Sequence, residues 1–301
     1  MELTALGLLV LGLLLAEPVS RTLAGARWPM RDPVGALLMW QAVGLAGGLS
    51  LLGAGIVYGL APFGPTLISA VGGFFRAIAQ GRVLDDLGAG NAVALVATLL
   101  LGARLFFVLV TVTVRTLRAR ARHRDLLDVL ATPWPAVPGT RVLDHPIPVA
   151  YCLPGRSSRL VVSAGVLERL APDGVRAVLA HERAHLTERH DLVVLPFVAW
   201  GATAPFVRGM VRAQLAVAAL IEMRADDVAA SRSTQRELAG ALRTVGGSAP
   251  AGALSSFTSA VDARIARIAA PPPPPSTAFR VGVRLAAVAL VAVPTALLLH
   301  F

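Results

Sequence analysis

The chain has 301 residues, of which 55% are hydrophobic, with a mean hydropathy of +0.67 and a net charge of +10. That apolar share exceeds the roughly 45–50% of ordinary soluble domains, which argues against a purely soluble protein. A single cysteine, Cys152, excludes an intramolecular disulfide and any cysteine-pair metal site, so a bound metal must be held by His and carboxylates. All 28 basic residues are Arg and they gather beside apolar segments, which points to membrane orientation rather than nucleic-acid binding.

A membrane helix needs roughly 20 mainly apolar residues. Residues 3–18 form a first span. They lack the basic leader of a signal peptide, having Glu2 in its place. Residues 34–60 form a second span and residues 91–114 a third, so that 1–114 is a three-span membrane region. Arg104 lies near the middle of the third span, where a guanidinium must face the bundle interior or snorkel to an interface. Arg115, Arg118, Arg120, Arg122 and Arg124 follow within ten residues. By the positive-inside rule they place the segment that follows in the cytoplasm and both chain ends outside.

Residues 115–270 are long enough for a domain with its own core. Val149–Cys152 and Arg159–Ser163 read as short strands, with a turn from Gly155, Ser157 and Ser158. Arg159–Ser163 is the candidate edge for adding an extended peptide substrate, with an ordinary packed hairpin as the alternative.

The stretch APDGVRAVLAHERAHLTERHD, residues 171–191, reads as a helix. Pro172 suits its first turn and Asp173 its positive end, and Val175, Val178, Leu179 and Leu186 recur on one face. His181 and His185 are one turn apart, so both imidazoles project from one side and suit a tetrahedral Zn²⁺. Glu182 follows the first of them, where it reaches a water on the metal without being a ligand, the position of a general base. With six His and seven Glu in the chain, H-E-x-x-H would arise by chance in roughly 0.3% of chains of this make-up. A metzincin would carry a His six residues after His185. That position is Asp191, and His190 comes one residue early with no preceding Gly. The third ligand is instead expected from LIEMRADDVAA, residues 220–230, where Glu222 and Asp226 share a helical face. Glu222 completes a His, His, Glu set, and Asp226 accepts a hydrogen bond from the far nitrogen of a zinc-bound His. The apolar insert 192–207, interrupted by Pro196 and Pro205, reads as an interfacial or re-entrant segment. Residues 271–280 open with five prolines and form a semi-rigid linker to a fourth span, 281–301.

With HERAH at His181–His185 and EMRAD at Glu222–Asp226, the chain resembles the membrane metallopeptidases of the BlaR/MecR antibiotic-sensor type. It is similar also to the HtpX-type quality-control proteases, and a penicillin-binding domain of the kind that the antibiotic sensors carry after their last span is not expected. The fold class expected is mainly α, a four-span membrane protein with a cytoplasmic α+β gluzincin-like domain. The resemblance implies one Zn²⁺ per chain, with His181, His185 and Glu222 as ligands, Glu182 as the base and Asp226 behind a ligand. The expected activity is endopeptidase cleavage of a cytoplasmic or membrane-adjacent regulatory substrate. HtpX-like turnover of membrane proteins and a non-catalytic zinc-binding scaffold are the alternatives. The expected partners are a peptide or protein substrate, the lipid bilayer and a membrane or cytoplasmic regulator, with no nucleic acid.

Overall fold

The structure, a computed structural model, describes residues 1–155, 158–246 and 254–300, with backbone alone from 254 to 260. Ser157, one of the residues expected in a turn, lies outside the described residues. The chain divides into two compact units, Met1–Thr111 with Pro196–Val217 and Pro275–Phe301, and Val112–Leu195 with Ala218–Pro274.

The first unit is helical. Helix α1, Glu2–Leu14, continues through a π-helical turn, Leu15–Val19, into α2, Ser20–Gly25. Pro18 lies in that turn, where the widened backbone accommodates a residue that cannot donate to the helical ladder. Helix α3, Pro33–Leu60, starts on Asp32, whose carboxylate accepts the Gly35 N–H at 3.0 Å, with Pro33 fixing the first turn. The loop expected after the second span contains two helices, α4 at Leu67–Ala79 and the short α5 at Val83–Asp86. A reciprocal capping box of Thr66 and Ser69 starts α4, and Ile68, Val71, Phe75 and Ile78 form an exposed apolar stripe along it. That pattern suits a helix lying in a membrane surface.

Helix α6 runs over Ala89–Leu130, well beyond the expected end of the third span at residue 114. The Arg cluster from 115 to 124 is therefore helical, because nothing in TVRTLRARARHRDLL breaks a helix. Among the described residues four helical stretches are long and apolar enough to cross a membrane: Glu2–Gly25, Pro33–Phe63, Ala89–Leu130 and Thr277–His300. Helix α3 is the hub of the bundle, and its small residues let neighbours approach closely. A Cβ on Gly59 would stand 2.8 Å from Leu95 on α6, and one on Gly53 would stand 2.8 Å from Leu298.

In the second unit a four-stranded sheet has the order β1-β2-β4-β3, with β1 at Ala131–Pro133, β2 at Thr140–Leu143, β3 at Ala150–Leu153 and β4 at Arg159–Ser163. β2 runs parallel to β4, while β1 pairs with β2 and β3 with β4 in antiparallel fashion. The expected edge strand, Arg159–Ser163, is thus an inner one. TRVL at 140–143 has too little alternation to read as a strand, yet it covers the side of β4 that was expected to be free. Both faces of β4 are buried, Leu160 and Val162 against one cluster and Val161 against another, which explains its unbroken apolar run.

Helix α7, Ala164–Arg169, leads into α8, Pro172–Thr187. The apolar insert is helix α9, His190–Thr203, and the helix holding the expected third ligand, α10, starts earlier than expected and spans Arg208–Ala230. From Pro196 to Val217 the chain belongs to the first unit, where Phe197 is buried and the Arg104 Nε donates to the Thr203 carbonyl at 3.1 Å. Arg104 thereby satisfies a carbonyl in the last turn of α9. At the start of α10, Glu17 accepts the Gly209 N–H at 2.8 Å and pairs with Arg212, placing an acid at the positive end of the helix. Helices α11, Gln235–Gly246, and α12, Leu254–Ala269, complete the second unit. A helical core of Ala177, Ala180, Ala229, Leu238, Ala239 and Ile268 holds α8, α10, α11 and α12 together. Pro271–Ser276 is extended, and α13 then runs over Thr277–His300, starting four residues before the expected fourth span.

Leu238 is 1% exposed at the centre of that helical core. Leu238→Ala is expected to destabilise the second unit by about 2–5 kcal/mol. A lowered midpoint of near-ultraviolet circular dichroism on heating reads this, and an unchanged midpoint would contradict the packing described.

Candidate active site

Alanine and small apolar residues on one side of α8 let it pack closely against α10 and α11, and this packing brings the polar groups of α8 and α10 together. His181 and His185, one turn apart on α8, point their Nε2 atoms at a common place, 3.2 Å from each other. Glu222 of α10 reaches the same place, with Oε2 3.4 Å from His181 Nε2 and Oε1 3.5 Å from His185 Nε2. Ligands around a tetrahedral zinc at about 2.0–2.1 Å lie about 3.3–3.4 Å apart, so these three edges have the length such an ion requires. Among the described residues His181, His185 and Glu222 form the one group whose donor atoms could hold a metal. Two neutral imidazoles and one carboxylate are a donor set suited to Zn²⁺.

Asp226 is 1% exposed, and its Oδ1 lies 3.0 Å from His181 Nδ1, close in distance though without full hydrogen-bond geometry. Sequence reasoning missed the group that holds both acids. Arg264 of α12 places Nη1 2.9 Å from Glu222 Oε2 and donates through Nε and Nη2 to the two oxygens of Asp226, each at 2.7 Å. Nothing in DARIARIA, residues 262–269, distinguishes Arg264 from the surface Arg of any amphipathic helix. Burial would raise the Asp226 carboxyl, but the hydrogen bonds from Arg264 and the nearby His181 ring outweigh it and hold Asp226 below the ordinary carboxylate range.

The two imidazoles are pulled apart electrostatically. Burial tends to lower His181, yet Asp226 and Glu222 together draw it up to about 9. Burial pushes His185 down to about 4, with Glu222 opposing it and His181 adding to it. The cluster therefore favours one positive charge between the rings and resists a second proton, a need that a metal cation also meets. Glu222 is held down at about 2, where His181 and Arg264 overcome the effect of its burial.

Glu182 lies alongside, lining one cavity with His181, Glu222 and Arg264. Burial pushes its carboxyl up to about 7, with His181 opposing and Glu222 reinforcing the shift. It lies against the backbone N–H and the thiol of Cys152 on β3. Cys152 is half-buried and borders the site. The structure thus brings His181, Glu182, His185, Glu222 and Asp226 into one place.

Residues 115–237 match the model of peptidase family M48. The matched stretch contains HERAH and EMRAD and ends before Arg264. It supports a metallopeptidase of the M48 kind, and M48 peptidases are zinc-dependent. No curated protein and no solved structure matches the chain.

Burial first, and then the charge of Glu182, push the Cys152 thiol up to about 12. At pH 8 about one thiol in ten thousand is then ionised, far below an ordinary cysteine. Alkylation of the native protein by iodoacetamide is expected to be at least about 100-fold slower than alkylation of the unfolded chain. Glu182→Gln should shorten the gap. Equal native and unfolded rates, read by mass spectrometry, would remove Cys152 from the side of Glu182.

Proposed function

We propose that the chain is an integral membrane zinc endopeptidase, with one zinc held by His181, His185 and Glu222 and with Glu182 as its general base. The observation that carries this reading is the convergence of His181 Nε2, His185 Nε2 and the Glu222 carboxylate at the spacing of a tetrahedral site, with Glu182 lining the same cavity. When bound there, zinc supplies Lewis-acid polarisation of a scissile carbonyl and acidification of a water.

The protein's own groups do the rest. Glu182 takes a proton from the attacking water as its oxygen bonds to the scissile carbon. It returns that proton to the departing amine as the C–N bond breaks, leaving a carboxylic acid and an amine. Its place in the cavity beside His181 and Glu222 puts it within reach of both transfers. Asp226 and Arg264 keep His181 and Glu222 oriented between turnovers. β3 has no strand on its outer side among the described residues, and it carries Cys152 against Glu182. A substrate peptide added along Ala150–Leu153 as a further strand is thereby led past the base, the role that the sequence alone suggests for Arg159–Ser163.

Placement of this domain in the cytoplasm draws support from Arg115, Arg118 and Arg122, which stay exposed on α6 directly after its apolar stretch. The partners proposed are a peptide or protein substrate, a membrane or cytoplasmic regulator and the bilayer, and the intended substrate is a regulatory protein at or near the membrane.

Purified protein in detergent, beside its Glu182→Gln variant, tests the reading. Both are expected to hold one zinc per chain. The variant is expected to cleave an unfolded cytoplasmic substrate about 10²–10⁴-fold more slowly, and a chelator should abolish wild-type cleavage. A narrow set of cut sites in the mass spectrum fits a regulatory substrate, while cutting of many unrelated sequences marks HtpX-like turnover. Zinc-loaded wild-type protein that cuts nothing, its own chain included, would leave the scaffold reading in place of the enzyme.

A further inference from the structure

Helix α8 ends at Thr187 and α9 begins at His190, leaving a very tight turn between them. The turn is made by Arg189 at φ 51°, the only non-glycine residue with positive φ among the described residues. A side chain in that left-handed region costs roughly 1 kcal/mol or more and persists where the surroundings require it. The turn folds the chain back so that the His190 ring lies over His185, with ring centres 4.9 Å apart and planes at 81°. His190 Nδ1 stands 3.0 Å from His185 Nδ1, and His190 is 4% exposed.

The chain of contacts continues. His190 Nε2 lies 3.3 Å from Glu188 Oε2. Arg224 of α10 grips that carboxylate through Nε at 3.0 and 2.9 Å and through Nη2 at 2.6 Å. Asp191, next in sequence, pairs with Arg120 at 2.9 Å and fixes the start of α9.

Only one arrangement of protons satisfies these contacts together with the metal site. His185 offers Nε2 to the metal position, so its proton must sit on Nδ1. That N–H needs an acceptor, and His190 Nδ1 is the atom facing it. His190 must then carry its own proton on Nε2, which donates to Glu188, and Glu188 accepts from Arg224. The reverse tautomer of His190 would set two N–H groups against each other or turn a His185 proton toward the metal.

We propose that His190 is a positioning residue for the metal: a Glu188-anchored imidazole that fixes the tautomer and ring orientation of His185. A carboxylate or a carbonyl commonly does this for a metal-binding His directly. Here an imidazole is interposed, and the strained turn at Arg189 is what delivers it. The inference rests on the zinc reading above and concerns His190, Glu188 and Arg224, which that reading leaves without a role.

The test compares zinc affinity, by competition with a chromogenic chelator, and the visible absorption of the cobalt-loaded protein, using full-length protein in detergent. His190→Ala is expected to weaken zinc about 10–100-fold and to alter the cobalt bands. His190→Gln, whose side-chain carbonyl accepts the same hydrogen bond, is expected to recover most of the affinity. Glu188→Ala keeps every metal-facing ring and is expected to weaken zinc by a smaller factor, which carries the test if His190→Ala does not accumulate. Zinc affinity within twofold of wild type and unchanged cobalt bands in these variants would overturn the proposal, whatever happens to their melting temperatures. Wild-type protein that binds no zinc at all would instead strike down the zinc reading.

Discussion

Removing a carboxylate from water as completely as that of Asp226 costs several kcal/mol unless its lone pairs are met. Arg264 meets them with two hydrogen bonds at 2.7 Å, and the same guanidinium reaches Glu222. Three helices must therefore be in register before either acid is tolerable: α10 for the acids, α12 for the arginine and α8 for His181. The helical core around Leu238 supplies the apolar burial that offsets this, and its small residues set how closely the helices approach. The convergence of His181, His185 and Glu222 depends on this arrangement, since moving any one helix would leave a buried charge unpaired and separate the three donors.

The site residues legible in sequence were those that share one helix. His181, Glu182 and His185 are fixed relative to one another by 3.6-residue periodicity, and Glu222 and Asp226 by the same rule on another helix. Arg264 and Arg224 were illegible because their meaning comes from tertiary contacts, and an Arg on an amphipathic helix reads as solvated. His190 was visible as a residue and was set aside because it failed the spacing of a third ligand. The structure places its ring on the Nδ1 side of His185. A positive φ at Arg189 made that possible, and nothing in the residue type announces it.

The apolar stretches were read well as to existence and less well as to extent. Hydropathy falls sharply where the Arg cluster begins, yet helix propensity does not, so α6 continues to Leu130. The sheet shows the opposite limit. β3 and β4 follow from alternating or continuous apolar runs, whereas β1 and β2 are three and four residues long and owe their pairing to partners already in place. The outer strand on that side of the sheet is consequently β3 rather than β4, and its Cys152 lies beside Glu182.

The glycine face of α3 has a consequence in time as well as in space. Gly53 is shaped to receive Leu298, and Gly59 to receive Leu95. In chain order α3 precedes both α6 and α13, so each close-fitting surface is synthesised ahead of the side chain that fills it, and the bundle cannot close around α3 until α13 has been made.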